Sequence, residues 1–233
     1  MVTSDNNLPP QLPLDFSLAP ATKRDDLIES PANKTAIKLV DSWPDWPGQV
    51  TILAGPVGSG KSHIASIWAE QASAETYRAG QLDSHSEQAL ADANEGCNIV
   101  VEDLGSSAIN ETALFHLLNS VKQSSGFLLI TSRSWPREWD IKLPDLQSRL
   151  LAAQLVELQE PDDMLIKEVM AKLFMDRQLK VEPHVIEYCV LRMERSLDSA
   201  ARLVKAMDEE ALARKSVVTR ATASTALERL GMA

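Results

Sequence analysis

The chain has 233 residues, 44% of them apolar, and a formal net charge of −10 at neutral pH. That is enough material for one medium domain with a real core plus a smaller one, and the apolar share excludes wholesale disorder. The negative charge argues against binding nucleic acid through a broad basic face.

The first zone, residues 1–22, is rich in Pro, Asn and Ser and reads as a flexible arm. Its start, "MVTSDNN", has neither the basic residues nor the apolar run of a signal peptide, so none is expected. Inside the arm sits "QLPLDF", residues 11–16. In water Leu12, Leu14 and Phe16 would each forgo roughly 1.5–3 kcal/mol of burial. Either they dock on the protein's own body or they are bait for a partner.

From about residue 23 to residue 48 the sequence predicts a short helix in "NKTAIKLVDSW", with Ile37, Leu39, Val40 and Trp43 on one face, and then a turn, "PDWPG". From Gln49 to about Glu157, short apolar runs alternate with amphipathic stretches. "VTILAG", "NIVVEDL", "GFLLITS" and "AQLVEL" read as buried strands; "SHIASIWAEQA" and "ETALFHLLNSVKQS" read as helices. This alternation predicts an α/β fold, a mainly parallel sheet with helices on both faces. After "EPDD" the pattern becomes helical throughout. "DDMLIKEVMAKLFMDR" opens with the acidic residues that suit a helix N-terminus, "PHVIEYCVLRM" opens on Pro183, and "LDSAARLVKAMDEEALARK" and "ATASTALERL" complete a small all-helical unit. The expected organisation is therefore 1–22 arm, 23–159 αβα core and 160–233 helical lid. No stretch reaches the ~18 apolar residues of a membrane helix. Cys97 and Cys189 lie far apart among apolar neighbours, as thiols in a reducing compartment do, and a cytoplasmic protein is expected.

The strongest chemical signal is "GPVGSGKS": Gly55, Pro56, Val57, Gly58, Ser59, Gly60, Lys61 and Ser62 fit G-x-x-x-x-G-K-[ST] without mismatch, between a predicted strand and a predicted helix. Glycines let the backbone curl so that its N–H groups meet phosphate oxygens, and the helix N-terminus adds its dipole. Lys61 would neutralise phosphate charge and the Ser62 hydroxyl would ligate Mg²⁺; His63 reads as a surface residue of the first helical turn. Glu102 and Asp103 close the strand "NIVVEDL". Paired carboxylates at such a strand end would be costly to bury without a cation, so Glu102 is expected at Mg²⁺ through water and Asp103 at a water to be polarised. Thr131 and Ser132 end the strand "FLLITS". Their hydroxyls either meet the terminal phosphate or the attacking water, or cap the next turn.

Together these residues resemble the AAA+ family and, within it, the Hda group of DnaA-homologous regulators. The similarity runs from about Pro20 to the C-terminus, plus the arm. "LIESPANKTA" resembles the segment lying against adenine, which implies that Leu27 and Ile28 line a base pocket for ADP or ATP. "LPDLQSRL" resembles the segment ending in the arginine finger, which maps to Arg149; Arg133 and Arg137 are rivals for that role. "QLPLDF" is similar to the sliding-clamp-binding peptide Q-x-x-L-x-F, matched by Gln11, Leu14 and Phe16, with Leu12 suiting the common QL start. Such a peptide alone binds at around micromolar strength, and oligomerisation would add avidity.

The resemblance implies a regulator recruited by the DNA-loaded clamp of the replicative polymerase, which supplies Arg149 in trans to DnaA-bound ATP and so prevents over-initiation. With no helix-turn-helix stretch after the lid, a stand-alone initiator is not expected, nor is specific DNA or membrane binding. Two positions depart from the family pattern. Glu102 stands where Asp is usual, and Asp198 stands where the lid usually offers an arginine to the terminal phosphate, with Arg195 and Arg202 near the same helical face. The expectation is stable nucleotide binding, as ADP, with poor hydrolysis by the protein alone. The rival readings are a helicase-loader ATPase, a clamp-loader subunit and a small-metabolite P-loop kinase.

Overall fold

A computed structural model describes residue 24 and residues 27–106, 108–214 and 216–232. The chain builds α1 (Lys34–Asp41), β1 (Val50–Ala54), α2 (Lys61–Ala72), β2 (Glu75–Arg78), α3 (Leu82–Asn94), β3 (Ile99–Leu104), α4 (Glu111–Gln123), β4 (Leu128–Ser132), α5 (Pro144–Ala152) and β5 (Gln154–Glu157). Four more helices follow: α6 (Asp163–Asp176), α7 (Pro183–Val190), α8 (Leu197–Arg214) and α9 (Arg220–Arg229).

The strands form one sheet in the order β2-β3-β4-β1-β5, and every neighbouring pair is parallel. The apolar runs of β1, β3 and β4 are buried on both sides because successive side chains point to opposite faces. Ile52, Ile99, Val101, Leu128 and Ile130 join a cluster with Leu114, Leu117 and Val121 of α4 and Leu146 and Leu150 of α5. Their neighbours Leu53, Val100 and Leu129 enter the opposite cluster with Val40 of α1 and Ile64, Ile67 and Trp68 of α2.

β2, α3 and α5 escape the sequence reading. β2, "ETYR", is an edge strand paired with β3 and largely exposed, so it carries no apolar run to announce it. α3 and α5 lie in stretches to which the sequence reading assigns no helix. A further point is a boundary: α1 stops at Asp41, so Trp43 leaves the predicted helical face and packs edge-on against Trp68 and Phe127.

Helices α6 to α9 pack around a separate apolar cluster that includes Ile166, Met170, Phe174, Cys189, Leu203, Met207 and Leu227. The acidic start of α6 acts as read: the Asp162 carboxylate accepts the Leu165 N–H at 2.7 Å. Pro183 is the first residue of α7. Among the described residues no helix is long and apolar enough to cross a membrane, and Cys97 and Cys189 are free thiols.

Candidate nucleotide-binding site

Strand β1, between β4 and β5, ends at Ala54, and the phosphate loop turns from there into α2. Its curl depends on Gly58 and Gly60, whose φ values of 74° and 96° lie in the left-handed region. Gly60 is also the N-cap of α2, so no side chain caps that helix and its first amides face whatever occupies the loop. Lys61 is 7% exposed. Its Nζ donates to the carbonyls of Gly55 at 2.8 Å and Pro56 at 2.6 Å, and lies 3.4 Å from Ser59 Oγ. All three partners are neutral. Burial pushes the ammonium below its ordinary pKa; the Asp103 charge works against this and the Arg133 charge adds to it.

The loop opens on a cavity of about 520 Å³, a size usual for small-molecule sites. Leu27, Ile28, Leu165, Val169, Leu173 and Leu197 give it an apolar side, and residues 58–63 with Asp103 and Arg133 give it a polar one. Asn33, 6% exposed, shapes the apolar entrance: its Nδ2 donates to the Ile28 carbonyl and its Oδ1 accepts the Ser30 N–H, both at 2.8 Å. An uncapped helix start, a buried lysine with only neutral acceptors around it, and an apolar slot alongside fit a nucleoside polyphosphate.

The end of β3 sorts the two acidic residues. The ladder to β4 shifts between Val101 and Leu104, and Asp103 adopts φ 58°. Its amide donates to Thr131 Oγ1 at 3.0 Å, and its carboxylate meets Arg133 Nε at 3.5 Å. That turn brings Asp103 into the cavity lining, whereas Glu102, half-buried beside Arg78 of β2, is not part of it. Of the residues expected at Mg²⁺, Ser62 therefore lines the cavity and Glu102 does not. Asp103, the lining carboxylate beside the phosphate loop, already faces a cation. Among the described residues no cluster of three or more His, Cys, Asp or Glu side chains forms. Ser62 and a carboxylate already paired with Arg133 do not, as they stand, fit a divalent ion.

Thr131 and Ser132 are both buried. Thr131 holds the Asp103 amide, while the Ser132 hydroxyl donates to the Ser134 carbonyl at 2.8 Å and accepts the Ser134 N–H at 3.2 Å. Ser132 thus caps the turn after β4, and neither hydroxyl lines the cavity.

On the helical side Asp198 does line the cavity, but its carboxylate pairs with Arg202 Nε at 3.0 Å. Arg202 also donates to Ser199 Oγ at 3.1 Å, and Arg195 pairs with Asp163 at 3.1 Å. Asp176, the remaining lining carboxylate, meets Lys172 Nζ at 2.8 Å.

Arg149 lies elsewhere. It borders a groove of about 540 Å³ with Pro47, Gly48, Gln49 and Leu118, and its guanidinium sits 5.1 Å from the Phe115 ring. Arg137 is exposed after β4. Gln11, Leu12, Leu14 and Phe16 lie outside the described residues.

The wall from α6 was not anticipated. Leu165, Val169 and Leu173 recur every four residues, an apolar stripe legible in the sequence, but nothing in it says that the stripe faces the loop.

With this geometry in place, the fold is that of an AAA+ P-loop domain, a parallel sheet with helices on both faces followed by a helical segment. It matches domain III of the replication initiation protein DnaA from Thermotoga maritima, with TM-score 0.76 and 13% identity over 91% of this chain and 98% of that one. It matches AMPPCP-bound DnaA from Aquifex aeolicus, with TM-score 0.66 and 18% identity over 86% and 70% of the two chains. The RuvB Holliday junction branch migration motor of Thermotoga maritima aligns with TM-score 0.68 and 16% identity over 85% and 68%. No family model matches the sequence. A curated relative, an uncharacterized protein of Haemophilus influenzae, is 23% identical over 175 residues, 68% of this chain and 72% of its own.

Proposed function

We propose that the protein is a nucleotide-binding regulator of the Hda type, with an arm at 1–22, an AAA+ core at 23–159 and a lid at 160–233. Residues 55–62 cradle the phosphates of ADP or ATP, with Leu27 and Ile28 against the base. The same protein is read as stimulating hydrolysis of DnaA-bound ATP, with Arg149 as the finger in trans and "QLPLDF" tethering it to the sliding clamp through Gln11, Leu12, Leu14 and Phe16. Likeness to AMPPCP-bound DnaA supports the nucleotide part.

One observation carries the regulatory part. Arg149 borders a groove separate from the chain's own nucleotide cavity, so its charge is of use to another molecule's phosphates rather than its own. A finger supplied in this way is worth about 10³–10⁵ in rate.

The test is hydrolysis of DnaA-bound ATP with DNA-loaded clamp, comparing wild type, Arg149→Ala and Gln11→Ala/Phe16→Ala. Stimulation by wild type, lost in Arg149→Ala and in the arm double mutant, is the expected result. Normal stimulation by a folded Arg149→Ala protein would remove the finger assignment, and normal stimulation by the double mutant would remove the tether.

A further inference from the structure

The three carboxylates lining the nucleotide cavity all have cationic partners: Asp103 with Arg133, Asp176 with Lys172 and Asp198 with Arg202. Of these, the Asp103–Arg133 pair is the one beside the phosphate loop. The register of the sheet puts it there, because Ser132 lies opposite Ala54 and its carbonyl accepts the Gly55 N–H at 3.2 Å. Arg133 is the next residue along, and it lines the cavity with Lys61.

We propose that Arg133 is the built-in counter-cation of this site, bridging Asp103 and the terminal phosphate of a nucleoside diphosphate, so that nucleotide binds without a divalent ion. The inference rests on the nucleotide-binding reading above and deepens it.

Three features carry it. First, Nε alone faces Asp103 Oδ1, at 3.5 Å, and the guanidinium fork has further N–H groups suited to phosphate oxygens. Second, both side chains are 53% exposed, so the pair is loosely held and Arg133 can lean to an arriving phosphate. Third, Asp103 is fixed from behind, its amide on Thr131 and its backbone in a left-handed turn, so the carboxylate is presented whether or not ligand is there. A carboxylate–cation–phosphate bridge is the arrangement a divalent ion would make. Here the cation belongs to the chain, and an ion approaching Asp103 meets the charge of Arg133.

The experiment is calorimetric titration of ADP into the full chain, in excess EDTA and in Mg²⁺, for wild type, Arg133→Ala and Lys61→Ala. Wild type should bind with Kd values within about threefold in the two buffers, and Arg133→Ala should lose about tenfold or more in EDTA, with Mg²⁺ restoring part of the loss. Two outcomes overturn the proposal while leaving nucleotide binding intact: a wild type that needs Mg²⁺ by about tenfold or more, or Arg133→Ala binding in EDTA as wild type does. If Arg133→Ala fails to fold, the wild-type comparison of EDTA with Mg²⁺ decides alone. Absence of ADP binding to wild type in both buffers overturns the nucleotide reading and this inference together.

Discussion

The carbonyl of Gly58 accepts the N–H of Leu197 at 2.8 Å, joining the phosphate loop directly to the first residue of α8. A Cβ added at Gly58 would stand 1.9 Å from Ser196 Oγ and 2.6 Å from Ser196 Cβ. The position therefore requires glycine twice over, for the φ of 74° and for the close approach of the helical segment.

Gly58→Ala tests that junction. A non-glycine residue in the left-handed region costs about 1–2 kcal/mol, and the clash forces α8 away from the loop. The expected outcome is a folded protein, melting a few degrees lower, whose ADP affinity falls by about tenfold or more. A variant that binds ADP as wild type does would mean that loop and helical segment act independently.

Lys61 gives a prediction in which stability and binding move in opposite directions. Burial holds its pKa below the ordinary 10.5, so the charged form costs the fold something at neutral pH. That cost is fully present below the depressed value and fades as pH rises toward 10.5, where the unfolded lysine also loses its proton. Lys61→Met should leave thermal stability equal or higher at neutral pH, with the gain shrinking in alkali, while ADP binding weakens by about a hundredfold. In wild type, phosphate favours the protonated amine, so ADP affinity should decline in alkali, beginning below the ordinary lysine value of 10.5. Thermal melts and ADP titrations across that range check both statements, and a Lys61→Met protein clearly less stable than wild type would contradict them.

Much of this site could be read before the structure, and the limits have physical causes. The phosphate loop was legible because only glycines with Lys and Ser at fixed spacing serve its geometry, and Val50, Ile52 and Leu53 announced the strand that carries it. β2 was invisible because an exposed edge strand needs no apolar side chains. The roles at the end of β3 were unreadable in principle: simple alternation assigns Glu102 and Asp103 to opposite faces, but the left-handed turn at Asp103 depends on Thr131, which lies 28 residues away. Arg133 was legible only as a rival finger, because its pairing with Asp103 arises from sheet order. Asp198 lines the cavity, but that its carboxylate pairs with Arg202 one helical turn on could not be read from the departure alone.

Arg149 offers a separation of functions. Its contact with the Phe115 ring is a half-exposed cation–π pair, worth about 0.5–1 kcal/mol. Arg149→Ala should therefore melt within a few degrees of wild type and bind ADP within about twofold, because the residue does not line that cavity. A large loss of the protein's own ADP affinity would place Arg149 in the wrong site.

The two thiols provide a reporter of the helical segment. Cys189 is fully buried in α7, with its Sγ 3.8 Å from Met207 Sδ of α8, and burial pushes the thiol up to about 12 against the opposing charge of Arg192. Cys97 is half-buried at the turn before β3. Since thiolate is the reactive form, a maleimide or iodoacetamide reagent should modify Cys97 in the native protein and reach Cys189 only when α7 and α8 part. A thiol that ionises only with difficulty in the fold also favours folding below its ordinary value of 9.0, and this contribution is lost as pH rises from there toward about 12. Nucleotide ties the experiment to function. Leu165, Leu173 and Leu197 of the helical segment and Lys61 of the core line one cavity, so ADP should hold the two together and slow Cys189 labelling by about the ratio of its concentration to Kd. Mass-spectrometric labelling rates with and without saturating ADP decide it: equal rates at Cys189 would show that opening of the helical segment is not coupled to the ligand.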